Sequence, residues 1–210
     1  MSDSKYKIAY VDESESEIRK FLRFAHGSLF VTPLKPIADL DEMIDNILTT
    51  KVDALVADFD LNEEDSTIKY TGVELISKLL EYREKFPVFI LTSHEDEAIQ
   101  EGDDVNIVYE KGRIFDSKEK LLEKIKSQID KYTHNLYVAE DKIMTLLEKQ
   151  SQVNLTAVEE EELIRLDNFI EKSLGKKIAI PEKLKSKEES DGLIELLEKA
   201  DKILKKIQAK

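Results

Sequence analysis

The sequence predicts a doubly wound α/β domain built on a five-stranded parallel sheet, followed by an all-α helical extension. Three observations carry this reading. Short apolar runs recur along the first half, KIAYV at 7–11, ALVADF at 54–59 and VFIL at 88–91. They have the length and apolar content of strands covered on both faces. Between them, apolar residues fall every three to four positions, as on one face of a helix. Beyond about residue 116 the short runs stop and only helical spacing remains.

In order, 7–11 is the first strand and stops at Asp12-Glu13. A helix over 14–25 follows with Ile18, Phe21, Leu22 and Ala25 aligned, and Gly27 suits its stop. Residues 29–31 form a weaker second strand, and Pro33 and Pro36 just beyond it fit an edge position. A helix over 39–50 turns Leu40, Met43, Ile44, Ile47 and Leu48 inward. The third strand is 54–59. A polar loop over 60–71 leads to Gly72 and a third helix over 73–86, which Pro87 ends. Strand four, 88–91, runs into Thr92-Ser93. A short acidic helix over about 95–101 closes at Gly102, and 105–109 is the fifth strand, followed by Glu110, Lys111 and Gly112. Strands alternating with helices imply a parallel sheet covered on both faces and wound by right-handed crossovers.

In the second half, Ile125, Ile129, Tyr132, Leu136, Ala139, Ile143 and Leu146 are spaced alternately by four and three, a heptad seam free of Gly and Pro. A helix over 116–150 would be about 50 Å long and would project beyond a small α/β domain. Thr156 and Glu159 have capping-box spacing for a next helix, lined by Leu163, Leu166, Ile170 and Leu174 and ended by Gly175. Residues 176–189, lysine-rich and holding Pro181, read as a linker. A last helix over 190–208 aligns Leu193, Leu197, Ala200, Leu204 and Ile207. None of these helices buries its stripe alone, so they must pack on one another, on the first domain or on a second copy. The expected organisation is an α/β domain over 1–130 and a helical region over 131–210.

Composition narrows the function. The 210 residues are 41% hydrophobic and 37% charged, with no cysteine, which excludes disulfides and thiolate metal or redox sites. No apolar run approaches the roughly 20 residues of a membrane span. The opening MSDSKYKIAYVD has no signal-peptide hydrophobic region, so a cytoplasmic address is expected. Net charge is −13, with 17 basic against 29 acidic residues over 1–130 and 15 against 16 over 131–210. An acidic first part argues against nucleic acid and anionic membranes as partners. The helical part has neither a helix-turn-helix signature nor a basic recognition helix.

Asp12-Glu13, Asp58, Thr92 and Lys111 all stand at C-terminal ends of predicted strands. In a parallel sheet these ends share one rim, where open α/β sheets bind ligands. Three carboxylates together repel unless a cation holds them, and oxygen ligands of this kind suit Mg²⁺ with a phosphoryl oxygen. A lysine and a hydroxyl beside them suit a transferring phosphoryl group. A carboxylate can itself be the nucleophile.

On VDES at Asp12-Glu13, LVADFDL at Asp58, FILTS at Thr92 and VYEK at Lys111, residues 5–130 resemble the receiver domain of two-component response regulators. The resemblance implies a flavodoxin-like sheet of order 2-1-3-4-5. It implies that Asp58 takes a phosphoryl group from a histidine kinase or phosphotransfer protein, as a self-modifying phosphoacceptor and not a turnover enzyme. Asp12, Glu13 and Asp58 would hold Mg²⁺ with the backbone carbonyl of Asp60. Thr92 would be the switch hydroxyl, Lys111 the phosphoryl contact, and His94, two residues after Thr92, a modulator. The sequence departs from the family where proline usually follows the lysine (here Gly112), in a longer loop from Asp58 to Gly72, and in the aromatic switch position, held by Val108 with Tyr109 next to it. These departures touch the relay surface more than the phosphoryl chemistry.

Competing readings stand beside this one. A receiver-like scaffold can serve as a phosphorylation-independent adaptor or dimerisation protein. Asp58-Phe59-Asp60 also resembles the first motif of haloacid-dehalogenase phosphatases, but Asn62 stands where that family has threonine, and no acid pair follows Lys111. His134-Asn135-Leu136 faintly resembles a histidine phosphotransfer helix, but Leu136 already belongs to the seam. His26 precedes a turn, and the acid runs at 103–104 and 159–162 read as solvated faces. The expected output is protein–protein contact through the helical region, with a homodimer along the seam and a folded-back bundle as the two arrangements.

Overall fold

A computed structural model of the chain describes residues 6–63, 65–93, 108–114 and 118–174, all within one compact unit, Met1–Gly175. The expected helix at 95–101, the start of the fifth strand, His94, the linker and the last helix lie outside the described residues.

Five parallel strands, β1 (Lys7–Val11), β2 (Phe30–Leu34), β3 (Ala54–Asp58), β4 (Val88–Thr92) and β5 (Val108–Glu110), lie in the order β2-β1-β3-β4-β5. Their registers pair Ala9 with Leu55, Val56 with Phe89, and Ile90 with Val108. The apolar runs alternate between two layers. Ala9, Val11, Leu55 and Ala57 face α2 (Leu40–Thr49) and α3 (Gly72–Tyr82), where Met43, Ile47, Leu75 and Leu79 are buried. Ile8, Tyr10, Ala54 and Val56 face α1 (Glu15–Ala25) and the start of α5 (Lys118–Gln152), packing with Phe21, Phe24, Leu121 and Ile125. This is the doubly wound fold, and each wholly buried large side chain stabilises it by roughly 1.5–3 kcal/mol. Asp39 caps α2 by accepting from the Asp41 and Glu42 amides, and Thr71 and Glu74 form a capping box on α3.

Two element ends differ from the sequence reading by three residues or more. The second strand includes Pro33, because β2 is an edge strand. Phe30 turns its N–H inward to the Tyr6 carbonyl, and strand alternation leaves the nitrogen of Pro33 on the open side, where no donor is needed. Helix α3 ends at Tyr82 and not at 86, and Lys85 takes a left-handed turn at φ 59°. The cause is tertiary. The Glu84 amide donates to the Lys172 carbonyl, and Phe86 packs edge-on against Tyr132 at 5.8 Å.

The heptad seam is covered by the chain itself. Ile125 and Ile129 belong to the α1 layer, and Tyr132 joins the opposite layer. Past the sheet, Ala139 and Leu146 pack with Leu155 and Leu166 beside α6 (Ala157–Leu174), with Ile143, Leu163, Phe169 and Ile170 half-buried around them. Thr156 and Glu159 make the expected capping box, with amide bonds of 3.0 and 3.4 Å. Lys142 pairs with Glu162 and Lys149 with Glu159 along one edge. The end of α6 then meets the α3–β4 turn, where Arg83 Nε and the Tyr132 hydroxyl both donate to the Ser173 carbonyl, at 3.0 and 2.9 Å. Of the packings left open by the sequence, the described residues take the folded-back one. Among them, no helix is long and apolar enough to cross a membrane.

A short helix, α4 (Lys111–Ile114), lies between β5 and α5. Lys111 therefore leaves the end of β5 directly into a helical turn.

Candidate functional site

The carboxyl ends of β1, β3, β4 and β5 bring the marked residues to one rim. Asp12 is wholly buried, and Glu13, Asp58 and Thr92 are buried beside it. Carboxylate oxygens of Asp12, Glu13 and Asp58 all lie within 4.8 Å of one another. Lys111 enters from the far strand, its Nζ 2.8 Å from Asp58 Oδ2 and 3.2 Å from Asp12 Oδ2. Asp60 is half-buried in the loop after β3, and His94 is outside the described residues. Thr92 ends β4 opposite Glu110 in the β5 register.

The backbone holds these side chains in place. The Phe59 amide donates to Asp58 Oδ1 at 2.8 Å, and the Ser14 amide to Asp12 Oδ1 at 2.9 Å. Gly72 donates its N–H to the Phe59 carbonyl at 2.8 Å, and a Cβ there would run into the Asp58 carbonyl oxygen. The glycine that the sequence marked only as a helix start is thus the close contact that seats α3 against the Asp58 turn. The long loop is packed down by Leu61, Ile68 and Tyr70, all buried. Tyr70 donates to the Ile37 carbonyl at 2.6 Å. Tyr109, next to buried Val108, is half-buried against Phe89, with Lys124 Nζ 5.0 Å from its ring.

The electrostatics follow from burial. Burial pushes the Asp58 carboxyl up to about 7, against the downward pull of Lys111. Burial likewise pushes Glu13 up to about 7. Burial draws the Lys111 ammonium down, but Asp58 and Asp12 together outweigh it and hold it above its ordinary value. Glu13 Oε2 is buried with no hydrogen-bond partner among the described residues. An unsatisfied buried carboxylate oxygen is costly, and a bound cation would remove that cost. Clustered carboxylates plus an orphan oxygen fit a divalent cation, and this acidic cluster could coordinate one.

One member of the site escaped the sequence reading. Tyr10, one residue of the first strand run, donates its hydroxyl to Asp12 Oδ2 at 2.6 Å. The signal was present in the spacing, since residues two apart on a strand point to the same side.

No family model matches the chain, and no curated protein matches it. Among solved structures, the chain is similar to a fusion carrying a yeast Spc42 trimeric coiled-coil segment, at 16% identity and TM-score 0.48 over 72% of this chain and 95% of that one. It is similar to the Salmonella typhimurium RcsB response regulator at 14% identity and TM-score 0.42, over 79% of this chain and 91% of that one. A structure of RcsB with DNA matches at 13% identity and TM-score 0.41, over 80% and 91% of the two chains.

Proposed function

We propose that this chain is a phosphoacceptor that takes a phosphoryl group onto Asp58 from a phosphohistidine of a kinase or phosphotransfer protein, and signals through protein contacts of its helical region. What supports this most is one arrangement. Asp58 is buried at the end of β3 with Lys111 Nζ at 2.8 Å and with the Asp12 and Glu13 carboxylates in the same cluster. In the proposed step an Asp58 carboxylate oxygen attacks phosphorus in line. The P–N bond breaks and its electron pair stays on the imidazole nitrogen. Asp12, Glu13, Asp58 and the Asp60 carbonyl are the residues that would hold Mg²⁺, which would supply charge neutralisation for the phosphoryl oxygens. Lys111, already facing Asp58, would turn its ammonium to the incoming phosphoryl group, and the Thr92 hydroxyl would be its second contact. Burial keeps water from the acyl phosphate.

Incubation with acetyl phosphate or phosphoramidate and Mg²⁺ should add one phosphoryl group to the full chain by intact mass, and Asp58→Asn should abolish the addition. Labelling that persists in Asp58→Asn removes Asp58 from the role. No labelling of the wild type favours a phosphorylation-independent adaptor.

A further inference from the structure

We infer that Tyr10 is a positioning residue for the acidic cluster, its hydroxyl fixing the Asp12 carboxylate in the orientation from which it shares a divalent cation with Glu13 and Asp58. The inference rests on the cation-dependent reading above and concerns a residue outside the cluster itself.

Tyr10 sits in the middle of the α1 layer, 1% exposed, among residues such as Ile8, Ala54 and Val56. Its ring stacks on Phe21 with centroids 4.1 Å apart and planes 18° from parallel, and Phe21 in turn packs on Phe24 at 5.7 Å. Packing alone would be met by phenylalanine. The hydroxyl needs a partner when buried, and its partner is Asp12 Oδ2 at 2.6 Å, the length of a charge-assisted bond. An ionised carboxylate only accepts, so the Tyr10 hydroxyl is the donor of this bond.

The donors around Asp12 divide between its two oxygens. Oδ2 takes the Tyr10 hydroxyl and the Lys111 ammonium, the latter at 3.2 Å, while Oδ1 takes the Ser14 amide at 2.9 Å. A carboxylate oxygen offers about two lone-pair sites. Among the described residues, Oδ2 thus has two donors and Oδ1 one. Tyr10 is the donor among these that is itself locked by ring packing, so it sets the carboxylate's rotation. Hydrogen bonds to ligating carboxylates of this kind typically carry a factor of about 10–100 in metal affinity.

Tyr10→Phe keeps the ring and its stack and removes only the donor. Mg²⁺ titration of the full-length protein by calorimetry should give a dissociation constant at least about tenfold higher in the variant. Its cation-free melting temperature should stay within a few degrees of the wild type. Acetyl phosphate labelling should be slowed at low Mg²⁺ and restored to the wild-type rate at saturating Mg²⁺, a split that general loosening of the core would not produce. A wild type that binds Mg²⁺ and is labelled, beside a Tyr10→Phe chain with the same dissociation constant, overturns the inference and leaves the phosphoacceptor reading intact. A variant that loses stability with unchanged Mg²⁺ affinity also overturns it. A wild type that does not bind Mg²⁺ overturns both.

Discussion

The sheet buries side chains on both faces in two extensive layers, whereas the helical hairpin of α5 and α6 closes around four buried residues, Ala139, Leu146, Leu155 and Leu166. The surface shows the same contrast. Of the seven large hydrophobics exposed among the described residues, six (Tyr137, Val138, Met144, Val153, Val158 and Ile164) lie on the hairpin. A pair of helices with so small a core is marginal in water on its own. Its ion pairs are exposed and screened by solvent, so they add little. The hairpin is therefore held by its roots, through Tyr132 against Phe86 and through Arg83 on Ser173. The domain that holds the acidic cluster is stable by its own packing, and the part with the stickiest surface is stable by attachment.

The largest effect that sharpens this contrast compares two isoleucines of the same seam. Ile125 is wholly buried under the sheet, so Ile125→Asp should cost roughly 4 kcal/mol or more and unfold the chain near room temperature. Ile143 is half-buried in the hairpin, so Ile143→Asp should cost roughly 1–2 kcal/mol and act locally. Hydrogen exchange should show fast amides over 137–172 with β1, β3 and β4 still protected. Equal global unfolding by both substitutions would break the comparison and make the hairpin part of one cooperative core.

A smaller effect acts on the α/β part alone. Burial lifts Asp58 and Glu13 from 3.8 and 4.5 to about 7. Between the ordinary carboxylate values and about pH 7, the folded chain holds protons that the unfolded chain has released, so their contribution to stability falls as pH rises. In EDTA, the wild type should lose on the order of 2 kcal/mol more than the Asp58→Asn, Glu13→Gln double variant between about pH 5 and pH 7. Millimolar Mg²⁺ should flatten the difference. Melting curves that move in parallel would mean the two carboxyls are not buried in their charged form.

The smallest change tests the root of the hairpin. Arg83→Ala removes the bonds to the Ser173 and Val52 carbonyls, at 3.0 and 3.4 Å, and the guanidinium stacked 3.8 Å over Phe86. The expected loss is about 1–2 kcal/mol, seen as faster exchange in α6 with the sheet unchanged. An unaltered α6 would assign the anchoring to Tyr132 alone.

Much of this was legible in the sequence wherever one residue's chemistry conflicts with its local pattern. Asp58 after ALVA and Thr92 after VFIL are polar ends on apolar runs, and the structure puts them with Asp12, Glu13 and Lys111 on one rim. The Thr156–Glu159 capping box was legible because it is local. What was hidden depends on distant partners. Helical spacing runs through Tyr82 without a break, and α3 stops there because Glu84 and Phe86 are used by α6 and α5. The seam reads as one continuous stripe whose cover the spacing leaves open, and successive parts of it face the α1 layer, Phe86 and α6. Tyr10 reads as an ordinary strand aromatic until its hydroxyl is placed beside Asp12.

The unbroken run of α5 from the sheet into the hairpin has a mechanical consequence. About 20 residues of it lie beyond Tyr132, close to 30 Å of helix at 1.5 Å per residue. A tilt of about 5° where the helix leaves the sheet would swing the loop at Val153 through nearly 3 Å, by the same helical rise. A displacement too small to register at the root thus becomes the width of an atom at the tip, and the exposed side chains that ride there are the ones a partner would feel move.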